Sequence, residues 1–287
     1  MHLVDAKGIL SARNGMNIYR GCTHGCIYCD SRSLCYHIDH PFEDIEVKQN
    51  APELLEKALR SRRRKCVVGT GSMCDPYMPV EKELMIIRKC LEVIERNGFG
   101  AALITKSDLV LRDLDLLCSI NEEQKAAVQI TMTTFSDELC RMIEPNVCPT
   151  SRRYEVLKTM QENRIPTYVW LTPILPYIND TQENLSGLLE MCADAGVKGI
   201  VCYNMGLTLR EGNREYFYSA LDRLFPGLKK RYEKEFGLSY VVNSPYNGRL
   251  MAHFHSFCEK YGLIHDPEQC FEDIVRLPEK YKQLSLF

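Results

Sequence analysis

Apolar and polar positions along this chain follow two interleaved rhythms. Short apolar runs ending near glycine, threonine or an aromatic residue fall at 16–20, 66–69, 100–105, 126–133, 167–171 and 199–203, and each reads as a buried strand. Between them, apolar residues recur at helical spacing over 51–60, 81–97, 112–118, 151–163 and 182–195. Pro52 stands in the first turn of the first helix, and Gly98 and Gly196 close the second and the last, the positions where these residues cost a helix least. Strands joined through helices build a parallel sheet with right-handed crossovers. The pattern predicts an α/β fold with six such units. An open or partial barrel fits, as does a doubly wound sheet, and spacing alone does not choose between them.

After residue 210 the alternation stops. Helical patterns at 215–224, 228–236 and 248–261 follow. The last carries His253 and His255, which are two residues apart and so face different ways on a helix. The expected organisation is a core over 1–210, a helical cap over 211–275 and a tail over 276–287.

Composition narrows the picture only slightly. The 287 residues carry a formal net charge of −2 and 45% hydrophobic content. No global basic field advertises nucleic acid, so any such affinity must come from local patches. No apolar run approaches the roughly 20 residues of a membrane span. Fourteen cysteines without a basic and then apolar leader point to a reducing cytoplasm, where clustered thiols mean metal or catalysis. Cys90, Cys118, Cys140, Cys192, Cys202 and Cys258 sit in apolar runs and read as small buried hydrophobes.

Three cysteines differ from these. Residues 21–30 read Gly-Cys-Thr-His-Gly-Cys-Ile-Tyr-Cys-Asp, so Cys22, Cys26 and Cys29 follow a C-x3-C-x2-C spacing directly after the first strand. A [4Fe–4S] cluster is usually closed by four cysteines; three leave one iron open for another ligand. The competing reading is a zinc knuckle completed by Cys35, His24 or His37. Zinc sites of that kind usually bring paired C-x2-C arms, and no second arm follows.

This spacing, with the aromatic Tyr28 before the third cysteine, resembles the signature of the radical S-adenosylmethionine superfamily. The resemblance implies a partial (β/α)6 barrel with its site at the C-terminal mouth of the strands. It implies two cofactors, a [4Fe–4S] cluster on Cys22, Cys26 and Cys29, and S-adenosylmethionine on the open iron. Reductive cleavage would then give a 5′-deoxyadenosyl radical, with flavodoxin or ferredoxin as electron donor. The loop Gly69-Thr-Gly-Ser-Met-Cys-Asp-Pro-Tyr, together with Tyr19-Arg20-Gly21-Cys22, Ile104-Thr105-Lys106, Glu144-Pro145 and Arg152-Arg153, is similar to the branch that includes spore photoproduct lyase. By that resemblance Tyr28, Gly69, Gly71, Ser72, Asp75, Lys106 and Thr133 are expected to hold S-adenosylmethionine. Spore photoproduct lyase returns a hydrogen atom to its product from a cysteine, which falls where Ser72 stands; here Cys74, helped by Tyr77, is the expected donor.

The chain ends Gln283-Leu284-Ser285-Leu286-Phe287 after a charged stretch. Gln283, Leu284, Leu286 and Phe287 resemble the peptide with which bacterial repair proteins hold the sliding clamp. In that mode an extended peptide hydrogen-bonds through glutamine and buries its apolar side chains. The expected function is hydrogen abstraction from a damaged or modified DNA base, with recruitment by the clamp. The alternatives are a radical enzyme acting on RNA, protein or a small molecule, and a zinc-stabilised adaptor without chemistry. Tyr168, Trp170 and Tyr177 are candidates to stack an extruded base.

Overall fold

A computed structural model of the protein describes residues 1–278; the peptide containing Gln283, Leu284, Leu286 and Phe287 lies outside them. The elements begin with strands β1 (His2–Val4), β2 (Gly15–Met16), β3 (Tyr19–Arg20) and β4 (Glu46–Lys48), then helix α1 (Ala51–Arg60). There follow β5 (Val67–Thr70), α2 (Glu81–Leu84), α3 (Ile86–Arg96), β6 (Gly100–Thr105), α4 (Leu114–Glu123) and β7 (Ala126–Thr131). Next come α5 (Asp137–Ile143), α6 (Thr150–Glu162), β8 (Thr167–Trp170), α7 (Gln182–Asp194) and β9 (Gly199–Val201). The chain continues through β10 (Gly206–Thr208), α8 (Asn213–Leu224), α9 (Leu228–Phe236), β11 (Val241–Asn243), α10 (Asn247–Tyr261) and α11 (Pro267–Val275).

Strands β2, β5, β6, β7, β8 and β9 pair in chain order as one parallel six-stranded sheet. The expected parallel α/β architecture is therefore present, open between β2 and β9. No helix among the described residues is long and apolar enough to cross a membrane.

Two elements differ from the sequence pattern. The run 16–20 is not one strand: Met16 pairs with Thr70 in the main sheet, whereas Tyr19 and Arg20 pair antiparallel with β4. The run 81–97 breaks at Met85, whose φ is +52°. Glu81 causes the break. Its buried carboxylate accepts the N–H of Ile87 at 2.8 Å and the hydroxyl of Tyr19 at 2.5 Å, replacing bonds that a continuous helix would make.

Parallel pairing places registered residues on one face. Val68, Ala101, Leu103, Val128, Ile130, Val169 and Ile200 face the helices in the main core. Val67, Ala102, Ala127, Tyr168 and Val201 face inward and pack on Cys270 and Ile274 of α11. Lys125 donates to the Asp273 carbonyl, the Tyr168 hydroxyl donates to the Asp273 carboxylate, and Lys198 pairs with that carboxylate at 2.6 Å. Lys125 and Lys198 immediately precede β7 and β9, so α11 closes the lumen at the N-terminal end of the sheet. Further along the same face Gly69, Ile104 and Trp170 are only partly buried. The lumen opens at the carboxyl ends of the strands.

Candidate active site

The cluster loop runs from β3 across that open end. Gly21 and Gly25 have φ of +83° and +71°. At Gly21 a Cβ would stand 2.4 Å from the carbonyl oxygen of Phe42, and the adjacent Cys22 N–H donates to that oxygen at 2.9 Å. Cys22 and Cys26 are buried and Cys29 is partly so. Burial pushes the Cys26 thiol up to about 12 and that of Cys22 upward as well, with the neighbouring cysteines adding to the latter. Metal ligation on these sulfurs therefore displaces protons. Three thiols carried on one loop are the donor set of a cluster that keeps one iron open.

Behind the loop lies a buried charged group. The Tyr28 hydroxyl and the Arg153 guanidinium both bond to the Glu144 carboxylate. Arg153 and Glu144 are 1% and 0% exposed, which makes this pair part of the interior. Burial works to raise the Glu144 pKa, but Arg153 and Lys106 outweigh it and hold the carboxyl below its ordinary value. Burial likewise opposes the charge on Lys106; Cys26, Glu144 and Asp75 overcome it and the lysine pKa is raised. A cation thus stands at the end of β6, beside the cluster loop.

Asp75 is a junction. Its Oδ1 accepts the Tyr77 N–H at 2.8 Å and the Thr105 hydroxyl at 2.7 Å, while Oδ2 accepts the Lys106 N–H at 2.7 Å. His24 Nδ1 lies 3.5 Å from the same Oδ2. Burial lowers the His24 pKa against the pull of Asp75, which favours a neutral ring. Asp75 therefore ties the cluster loop, the loop after β5 and the end of β6 together.

The remaining expected residues divide. Gly71 has φ +101° and a Cβ there would meet the Ile104 oxygen at 2.1 Å; Gly69 has nothing within 4 Å of its Cβ position and faces the lumen. Such a cradle beside Lys106 fits a ligand with a carboxylate and a bulky body. Ser72 is exposed. Thr133 lies two residues past β7, fully buried, with its hydroxyl donating to Glu144 at 3.4 Å. Cys74 is buried, donates to the Tyr19 carbonyl at 2.8 Å and borders a cavity of about 230 Å³ with Arg20, Ser31 and Lys48. Tyr77 is buried with its hydroxyl donating to Asp113 at 3.1 Å. It lines a second cavity of about 440 Å³ with His24, Ser107, Arg112 and Cys148. Of the three aromatic candidates, Trp170 stands on the lumen face toward its open end, its Nε1 donating to Gln129 at 2.9 Å. Tyr168 is bound to Asp273, and Tyr177 bonds Glu235 beneath Arg231.

The chain is similar to several known proteins. The model of the Radical SAM superfamily matches residues 16–189. An uncharacterised protein of Mycobacterium tuberculosis is 28% identical over 273 residues, covering 93% of this chain and 79% of its own. One of Methanocaldococcus jannaschii is 32% identical over 181 residues, covering 62% and 67%. Spore photoproduct lyase complexed with dinucleoside spore photoproduct superimposes with a TM-score of 0.65 at 13% identity, over 92% of this chain and 80% of that one. Such identity speaks for a shared fold. With three cysteines on one loop at the open end of a parallel sheet, and a family match across that sheet, the chain belongs to the radical S-adenosylmethionine superfamily, enzymes that work with a [4Fe–4S] cluster and S-adenosylmethionine.

Proposed function

We propose that the protein abstracts a hydrogen atom from a damaged or modified base in DNA, with Cys22, Cys26 and Cys29 holding the cluster. The observation that carries this reading is the open lumen beneath the cluster loop, on a fold shared with spore photoproduct lyase in complex with dinucleoside spore photoproduct. When bound, the cluster supplies the electron that cleaves S-adenosylmethionine reductively. The chain's own residues bind and orient. Lys106 offers a cation to the carboxylate of S-adenosylmethionine, Gly69 leaves room for its body, and Asp75 fixes both through its bonds to the Lys106 N–H and the loop after β5. Glu144, Arg153, Tyr28 and Thr133 hold that lysine and the cluster loop in place. Cys74 keeps its S–H at neutral pH and would return a hydrogen atom to the substrate.

Recruitment belongs to the same proposal. Gln283, Leu284, Leu286 and Phe287 would seat in the apolar pocket of a sliding clamp, and tethering raises local DNA concentration to about the millimolar range. A chain with net charge −2 then needs little DNA affinity of its own. The test is anaerobic reconstitution, dithionite, and DNA duplexes with defined deuterated lesions. Deuterium appearing in 5′-deoxyadenosine supports the reading; 5′-deoxyadenosine formed without label from any DNA substrate removes DNA as the target. Clamp binding at about micromolar strength that survives deletion of the last five residues removes the recruitment step.

A further inference from the structure

We propose that His2, His40 and Glu46 form a second metal site, for a divalent ion of borderline character such as zinc. One ligand atom from each of the three lies within 4.8 Å of the other two. His2 and Glu46 are direct partners in the parallel register of β1 and β4, so backbone pairing sets them side by side. His40 comes from the segment between the cluster loop and β4. Its ring meets that of His2 edge to face, 4.9 Å between centroids at 87°.

The outer contacts fit metal ligation. His2 Nδ1 lies 3.3 Å from the Asp44 carboxylate, and His40 Nδ1 lies 3.0 Å from the Pro41 carbonyl. An oxygen at Nδ1 fixes the proton on that nitrogen and leaves Nε2 with a free lone pair, as metal-bound histidines generally have. The Nε2 atom of His40 is shut off from solvent and has no hydrogen-bond partner among the described residues. A buried polar atom without a partner calls for an explanation, and a cation supplies one. Arg20, the cross-strand neighbour of Glu46, gives its guanidinium to the carbonyls of Tyr36 and His37 at 2.9 and 2.7 Å. The Glu46 carboxylate remains available.

Two imidazoles and one carboxylate oxygen, with water in the fourth position, suit tetrahedral zinc. No thiol belongs to the group, which separates it from the cluster. The position also gives the metal a task. His40 and Glu46 bracket Phe42, whose carbonyl receives the Cys22 N–H and packs on Gly21. A metal gripping both residues would staple the segment against which the cluster loop closes.

The experiment uses the full chain with its cluster reconstituted, then desalted and given one equivalent of zinc sulfate. Zinc K-edge absorption should show a shell of nitrogen and oxygen at about 2.0–2.1 Å. His40→Ala and Glu46→Gln should each weaken zinc binding at least roughly tenfold in competition with a chromophoric chelator, with iron and sulfide content counted alongside. Zinc should raise the melting temperature of the wild type and not of His40→Ala. A sulfur shell at about 2.3 Å, affinity that both variants leave unchanged, or an equal rise in melting temperature would each overturn the site.

Discussion

Asp75 accepts the backbone N–H of Lys106 at 2.7 Å, so the loop after β5 and the end of β6 are built as one unit. Its other oxygen holds Thr105 and Tyr77. Asp75→Ala would strand those donors, and each buried donor left unsatisfied costs about 1–3 kcal/mol. A loss of about 3 kcal/mol or more is expected from chemical denaturation of the apo-protein. Asp75→Asn keeps one acceptor oxygen and should fall between the two. Equal stability of Asp75→Ala and wild type would mean that the junction is not formed.

The Glu144–Arg153 pair should separate stability from assembly. Removing one partner of a buried ion pair costs about 3–5 kcal/mol, whereas replacing both by apolar residues is often nearly neutral. Glu144→Leu alone should therefore be severe, and Glu144→Leu with Arg153→Met should regain much of the lost stability. The double variant still deprives Tyr28 and Lys106 of their shared partner, so its iron content after reconstitution should stay low. Full iron loading in the double variant would reduce the pair to a packing feature.

Glu81 gives a pH signature. Burial raises its pKa, against bonds from Tyr19, Ile87 and Arg112. The folded state thus binds this proton more tightly than the unfolded chain. The resulting stabilisation is complete below the ordinary value of 4.5 and is lost as pH rises through the folded value. Relative to Glu81→Gln, the wild type should lose stability between pH 4.5 and neutrality, by about 1.4 kcal/mol for each tenfold difference in proton affinity. Denaturation midpoints across that range measure it, and a wild type that gains stability over Glu81→Gln as pH rises would reverse the assignment.

The parts of this molecule that were legible in the sequence are those whose determinants are local. Cys22, Cys26 and Cys29 mark the family's loop by their spacing, and Gly98 and Gly196 mark helix ends by residue type. The tie at Asp75 was illegible because its partners, Thr105 and Lys106, lie about thirty residues away and meet it only across two strands. Glu144 and Arg153 stand in the sequence as parts of the motifs Glu144-Pro145 and Arg152-Arg153, with nothing to say that they pair; the closure of α5 and α6 over β7 brings them together and buries them. Strands β1, β4, β10 and β11 have three residues each, too few to show a period of two. Helix α11 does carry a start signal, with Asp266 accepting the Gln269 N–H at 2.9 Å and proline in the first turn. Its buried face is only Cys270 and Ile274, which leaves no periodic stripe to read.

Cys74 can donate a hydrogen atom only while its thiol is protonated. Burial pushes that thiol up to about 12, with the charge of Asp75 adding to the rise. In deuterated buffer the wild-type product should therefore carry solvent-derived label. Cys74→Ala should still form 5′-deoxyadenosine while losing that label or that product. An unchanged product and isotope pattern would remove Cys74 from the reaction.

The two glycines at the carboxyl end of β5, Gly69 within it and Gly71 just past it, should respond in opposite ways. At Gly71 a methyl group would collide with the Ile104 carbonyl at 2.1 Å, on a backbone of φ +101° that side chains rarely tolerate. Gly71→Ala should therefore fail to fold or fold with several kcal/mol less stability, roughly at the upper end of point-mutant effects. At Gly69 the added methyl meets nothing within 4 Å, so Gly69→Ala should leave the apo-protein within about 0.5 kcal/mol of wild type. The space it fills belongs to the open part of the lumen, where S-adenosylmethionine is proposed to sit. Equilibrium binding of S-adenosylmethionine to the reconstituted variant should fall at least tenfold, about 1.4 kcal/mol. A stable Gly69→Ala protein with undiminished affinity would move the ligand away from β5 and leave the open cradle without an occupant.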